Sequence, residues 1–194
     1  MQVPRSRMLL AAALIAVVSA CDDSTGLGPT LENREANLVV YAMNGTAQTL
    51  PSGLHLRSRA VTNIDPSWSF DIAFDIDTAG FVVIHTVRVL GSQILGSLPR
   101  VGLQTDTTQF ANVTKSPAGG FVYDSSLTVG IGRTILVDKV DPSCNAFSGA
   151  FLGFNIRAKM RVDSVDVARR AIYLKLLANS NCGFRSLSPG QPKE

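Results

Sequence analysis

The chain is poor in the residues that most often carry out chemistry. It has two histidines, His55 and His85, on separate alternating segments, with no Ser, Cys or Glu pattern beside them that marks a nucleophile or a zinc site. No GxSxG, HExxH, Walker A or SxxK motif occurs, which lowers the weight of an enzyme but does not reach a site assembled from distant residues. Gly130-Ile131-Gly132 lacks the third glycine and the following helix of a phosphate loop and reads as a bulge or bend in a strand. Asp75-Ile76-Asp77-Thr78-Ala79-Gly80 begins like a calcium loop, yet Ala79 and Val87 stand where positions five and twelve need ligands. No cofactor and no metal are expected.

Charge of one sign is also missing. The chain has 18 basic and 15 acidic residues, and without Arg5 and Arg7, which lie in a segment expected to be removed, the balance is 16 against 15. Nucleic acid requires a basic surplus gathered on one face, so it is not an expected partner. After Val18 no run reaches the roughly 18 apolar residues of a spanning helix.

What is present begins at the N-terminus. Met1 to Arg7 carries two arginines and no acid, Met8 to Val18 is unbroken apolar sequence, and Ser19 and Ala20 are small residues before Cys21. This is the layout of a secretory signal. The apolar run covers roughly 16 Å as a helix, too short for a hydrocarbon core near 30 Å. Val18-Ser19-Ala20-Cys21 resembles the lipobox of bacterial lipoproteins. The resemblance covers the first twenty-three residues and implies cleavage between Ala20 and Cys21, diacylglycerol on the Cys21 sulfur and usually a further acyl chain (such as palmitate) on the new amino terminus. Two or three chains hold a protein stably where one does not. The expected location is therefore the cell membrane, lipid-anchored and extracytoplasmic.

The chain divides into a signal peptide (1–20), the lipidated cysteine with a polar, turn-rich flexible tether (21–36), one folded domain (37–187) and a disordered tail (188–194). Within the domain the dominant period is two. Trp68, Phe70, Ile72, Phe74 and Ile76 form one face of a run whose other face is Ser69, Asp71, Ala73, Asp75 and Asp77. The preceding stretch sets Leu54, Leu56 and Ala60 against His55, Arg57 and Arg59, with a turn at 63–67, so pairing would face a basic row with an acidic one. A third strand is expected over 81–90, an earlier one over 38–43 ending in the hairpin-favouring Asn44-Gly45, and weaker ones over 100–104 and 107–113. Strands follow at 121–123, at 127–140 broken by Gly130 and Gly132, and at 152–162. Residues 171–178 are expected to pair with that last strand, although Ser164 could instead cap a helix bearing Val165, Ala168, Ile172 and Leu176. The expected fold is all-β, an antiparallel two-sheet β-sandwich (Ig-like or related), with a small β-barrel as the alternative.

With Cys21 assigned to lipid, Cys144 and Cys182 remain as an even pair in an oxidising compartment, one at each outer end of the last hairpin, and a disulfide bond is expected. The closed segment of about 39 residues gives an upper figure of about 4 kcal/mol.

Binding surfaces are weakly marked. Trp68, the only tryptophan, belongs to the inward set of its strand and reads as core. Arg157, Lys159, Arg161 and Lys175 read as a solvated sheet face, with a basic ridge as the alternative, and Phe147 and Phe151 either line an apolar pocket or lead into the last hairpin. The composite expectation is a non-catalytic binding or structural module, held at the membrane through Cys21, whose partner is an envelope protein or polymer. An apolar-ligand carrier and a hydrolase with a non-local site are the alternatives. Cys21→Ser is expected to abolish labelling by palmitate and membrane fractionation together. A variant that still sediments with membranes and carries the label contradicts the assignment.

Overall fold

The computed structural model describes residues 28–91, 98–146 and 155–192. Among them the strands in chain order are β1 (Arg34–Tyr41), β2 (Gly53–His55), β3 (Ala60–Thr62), β4 (Ile72–Ile76), β5 (Val82–Thr86), β6 (Arg100–Asp106), β7 (Val122–Tyr123), β8 (Ser126–Val129), β9 (Thr134–Val140), β10 (Asn155–Asp166) and β11 (Ala171–Asn179). Two antiparallel sheets result, ordered β1-β11-β10-β9-β6-β7 and β3-β2-β4-β5-β8, and neither closes into a barrel. The fold is an all-β sandwich, as the alternation implied.

The alternation is clearest where the fold is most regular. Ala158, Met160 and Val162 of β10 and Ile172, Leu174 and Leu176 of β11 enter the layer between the sheets, where Ile72, Phe74 and Ile76 of β4 meet them. Residues 171–179 are strand, not helix, and the hairpin turns at 167–170. Gly130 and Gly132 separate β8 in one sheet from β9 in the other, and Gly132 takes a φ of 82° in that crossing.

Several expectations give way to tertiary demands. The stretch from Leu54 to Ala60 is two short strands, because the Asp71 carboxylate accepts the Leu56 N–H at 2.7 Å and the chain turns back through Arg59 at a φ of 58°. The facing rows of charge consequently do not form. Val82–Thr86 is strand, but Val87–Leu90 makes a single helical turn, α1, that packs Val87 and Leu90 beside Phe70 and Leu98. Residues 107–113 are not strand. Phe110–Asn112 forms a tight 3₁₀ turn whose flanking carbonyls, those of Phe110 and Val113, both accept from Lys159 Nζ at 2.8 Å. Asn44-Gly45 closes no hairpin. β1 pairs with β11, and residues 42–52 cross to the other sheet, where the Met43 N–H donates to the Phe74 carbonyl at 2.8 Å.

The ends of the domain also differ from expectation. Thr30 and Leu31 donate backbone N–H groups to Asn181 Oδ1, and Asn33 and Gly190 exchange two backbone hydrogen bonds of 2.9 Å. The domain therefore begins before residue 37, and the segment 188–192 is pinned where fraying was expected. Cys144 and Cys182 are joined, with their Cα atoms 5.4 Å apart.

The predicted solvated face of β10 is covered. Phe110, Val113, Phe121 and Leu187 lie with Leu136 and Leu177 in a second apolar cluster on the outer side of the six-stranded sheet. Lys159 is 1% exposed and stands 4.5 Å from the centre of the Phe110 ring, and burial lowers its pKa. Arg157 pairs with the buried Asp138, whose other oxygen accepts the Tyr123 hydroxyl. Burial and that hydrogen bond push the Tyr123 phenol up to about 12. Only Arg161 and Lys175 stay partly in solvent, paired with Asp163 at 2.6 Å and Glu35 at 3.5 Å.

A buried ion chain closes one end of the sandwich. Ile135, Val137 and Lys139 share one face of β9; the first two are in the core, and Lys139 Nζ lies 2.9 Å from Asp71 and 3.4 Å from Asp141. Arg57 reaches Asp141 from the other sheet at 3.4 Å. Burial acts to raise the Asp141 pKa, but the Ser143 hydroxyl, Lys139, the Ser143 N–H and Arg57 together hold it below the ordinary carboxylate value. Its stabilisation is complete at neutral pH and is lost as pH falls through that lowered value. Lys139→Ala, which leaves two buried carboxylates without their ammonium, is expected to cost about 3–5 kcal/mol in denaturant unfolding. Arg161→Ala, on the half-exposed pair, is expected to cost about 1 kcal/mol or less. Equal losses would show that the ion chain does not hold the sheets together.

Candidate functional site

The most developed concavity among the described residues is built by two connections, 42–52 between β1 and β2 and 63–71 between β3 and β4. Asp65-Pro66-Ser67-Trp68 is a tight turn in which the Trp68 N–H donates to the Asp65 carbonyl at 3.1 Å. Pro66 supplies the fixed φ of the second turn position, and Asp65 Oδ1 accepts the Ser67 N–H at 2.8 Å and also the Ser67 hydroxyl. The turn delivers Trp68 with a φ of 54°, a left-handed backbone that a bulky residue seldom adopts. Both Trp68 and Phe70 pack with Ala73, Val87 and Leu98 on the outer side of the five-stranded sheet and not with Ile72, Phe74 and Ile76 in the core. Trp68 and Phe70 therefore both leave the inward set assigned to them by strand alternation, Phe70 buried beneath the connections and Trp68 partly exposed.

The indole is backed on its inner side. Its ring and that of Phe70 are 5.9 Å apart between centres and tilted by 39°. Phe70 in turn lies on Gly53, where a methyl group would stand 3.0 Å from the Phe70 Cβ and 2.9 Å from the Thr62 hydroxyl. Gly91, after α1, offers the same kind of space to the benzo edge of Trp68. The outcome is a groove of about 480 Å³ lined by Met43, Leu50, Ile64, Pro66 and Trp68, with Ser52, Gln48 and Asp65 as its polar members and Ala47 on its rim. That volume falls within the range of small-ligand sites, and the mixture of an apolar wall with a few polar groups is typical of them.

Other candidates are less complete. Phe81 and Ile131, each about half exposed or more, stand on two turns at the end away from Asn33 and border a dimple of about 130 Å³. A polar cleft of about 430 Å³ lies between Lys115 and the 186–191 segment and contains no aromatic side chain.

The residues singled out from the sequence are dispersed. His55 Nδ1 lies 2.9 Å from the Ser58 hydroxyl in its own turn, and His85 Nδ1 lies 2.7 Å from the Ser126 hydroxyl on the neighbouring strand. Partial burial lowers the His85 pKa against an opposing pull from Asp75. Asp75 is not directed at that imidazole as a third member of a triad: its Oδ1 holds Arg170 at 3.0 Å and its Oδ2 accepts from Asn44. Asp77 caps its own turn through the N–H groups of Ala79 and Phe81. The letters that resemble a calcium loop are thus used for a salt bridge and an Asx turn. Ala20, Cys21, Phe147 and Phe151 lie outside the described residues.

The groove itself was not anticipated. The turn at 63–67 was readable from Asp65, Pro66 and Ser67; the missing step was that β4 begins only at Ile72, so Trp68 and Phe70 ahead of it do not share its inward face. Comparison of the chain with protein-family models, with curated proteins and with solved structures gave no match. Gly53→Ala is expected to displace Phe70 and with it the indole. Since Trp68 is the only tryptophan, the change should be read as a shift in intrinsic emission together with a lower melting temperature. Unchanged emission would mean that Phe70 does not set the indole's position.

Proposed function

We propose that this chain is a lipid-anchored extracytoplasmic module of the cell envelope, attached through Cys21, which binds its ligand in the Trp68 groove and performs no reaction on it. The observation that carries the reading is the contrast between the close-packed core side chains among the described residues and an open, tryptophan-bearing surface groove. Leu54, Phe74, Ile84, Val137, Met160 and Leu176 pack between the sheets, so a ligand is better accommodated outside the sandwich than within it. Neither histidine lines the groove, which supports binding over hydrolysis.

The attachment rests on the N-terminal sequence. No helix among the described residues is long and apolar enough to cross a membrane, and in this reading the lipid on Cys21 supplies the hold. The domain then stands on a short tether with an envelope protein or polymer as its partner class.

Trp68 emission reports the groove directly. Fractions of membrane lipid, cell-wall polymer and extracytoplasmic protein from the producing cell, titrated into the full-length protein, should include at least one that changes the emission saturably. Ala47→Arg, on the exposed rim, should abolish that change while leaving the melting temperature as it was. A response that survives the rim substitution, or no response to any fraction, would overturn the groove as the binding site.

A further inference from the structure

We infer that the Trp68 groove selects an organic cation with an apolar substituent, an alkylammonium-like group, and this rests on the groove being the binding site. Asp65 is the only charged residue among the described residues that line it, and no lysine or arginine does so. Its Oδ1 is occupied by Ser67, which orients the carboxylate and leaves Oδ2 available. The same four-residue turn, closed by the Trp68 N–H on the Asp65 carbonyl, carries both residues, and both line the groove.

The pair of features is complementary to one kind of ligand. The face of an indole carries partial negative charge and attracts cations, most strongly among the aromatic side chains. The Asp65 carboxylate, on the wall of the same groove, adds a full negative charge of the same sense. The remaining wall, Met43, Leu50, Ile64 and Pro66, suits an alkyl body. An anionic ligand would meet both the carboxylate and the indole face with the wrong sign. Gln48 and Ser52 offer hydrogen bonds to a polar head, but they do not replace the charge preference.

The test uses the full-length protein in a neutral detergent, with Trp68 emission as the readout and four probes: hexyltrimethylammonium, hexanol, hexanoate and a neutral disaccharide. Hexyltrimethylammonium should saturate the signal and bind about tenfold more tightly than hexanol, with affinity falling as salt is raised. Asp65→Asn retains the oxygen that accepts from Ser67, so the turn is kept; it should weaken the ammonium probe about tenfold and leave hexanol unchanged. Equal binding of all probes, tighter binding of hexanoate or the disaccharide, or indifference to Asp65→Asn would overturn the cation preference. If envelope fractions move the emission and hexyltrimethylammonium does not, the inference fails while the groove stands. If neither does, both fail.

Discussion

The two sheets are joined at one end by a chain of buried charges, and much of the remaining architecture is arranged around it. Lys139 occupies a position on β9 that the pattern of Ile135 and Val137 reserves for an apolar residue, and it is accommodated because Asp71 from the opposite sheet and Asp141 from its own both reach it. Such a group is less stabilising than a hydrocarbon of equal volume but far more selective about alignment, since any slip leaves an ion without a partner. Asp71 also accepts the Leu56 N–H, so the same carboxylate that registers the sheets bends β2 into β3. Asp141 caps the 3₁₀ turn at Pro142–Ala146 through the Ser143 N–H, and that turn contains Cys144. Register, turn and disulfide are therefore connected through three side chains.

Each sheet carries a glycine on its outer side where an aromatic residue crosses it. Gly53 lies under Phe70, and Gly102 lies under Phe121, where a methyl group would stand 2.7 Å from the Phe121 Cβ. These contacts let connections lie flat on the sheets and build small outer clusters in addition to the central core. On one side the cluster buries Lys159 and gives its ammonium two carbonyls in place of water. On the other it supports Trp68. A residue type usually read as a weak strand former thus decides where a loop can settle.

Legibility followed the distance over which each feature is determined. The alternation of β4, β10 and β11 is a local property and could be read directly, as could the pairing of Cys144 with Cys182 at the ends of one hairpin. Asp71 and Asp75 look equivalent in the sequence, two acids on the polar face of one strand. One is buried with Lys139 and the other faces Arg170 and Asn44, and only residues remote in the chain make the difference. The same holds for β10, whose Arg157 and Lys159 have the spacing of a solvent face and are covered by a connection that had been expected to be a strand. Trp68 and Phe70 are a separate case: alternation carries β4 back through them, whereas the strand begins at Ile72 and both rings lie on the outer side of the sheet.

The way the two chain ends are fastened has a mechanical consequence. Thr30 and Leu31 are hydrogen-bonded to Asn181, the neighbour of Cys182, and Asn33 is paired with Gly190. A pull on the chain ahead of Thr30 is thus delivered beside a covalent cross-link before it reaches the ladder between β1 and β11. Those hydrogen bonds must part before β1 is loaded against β11.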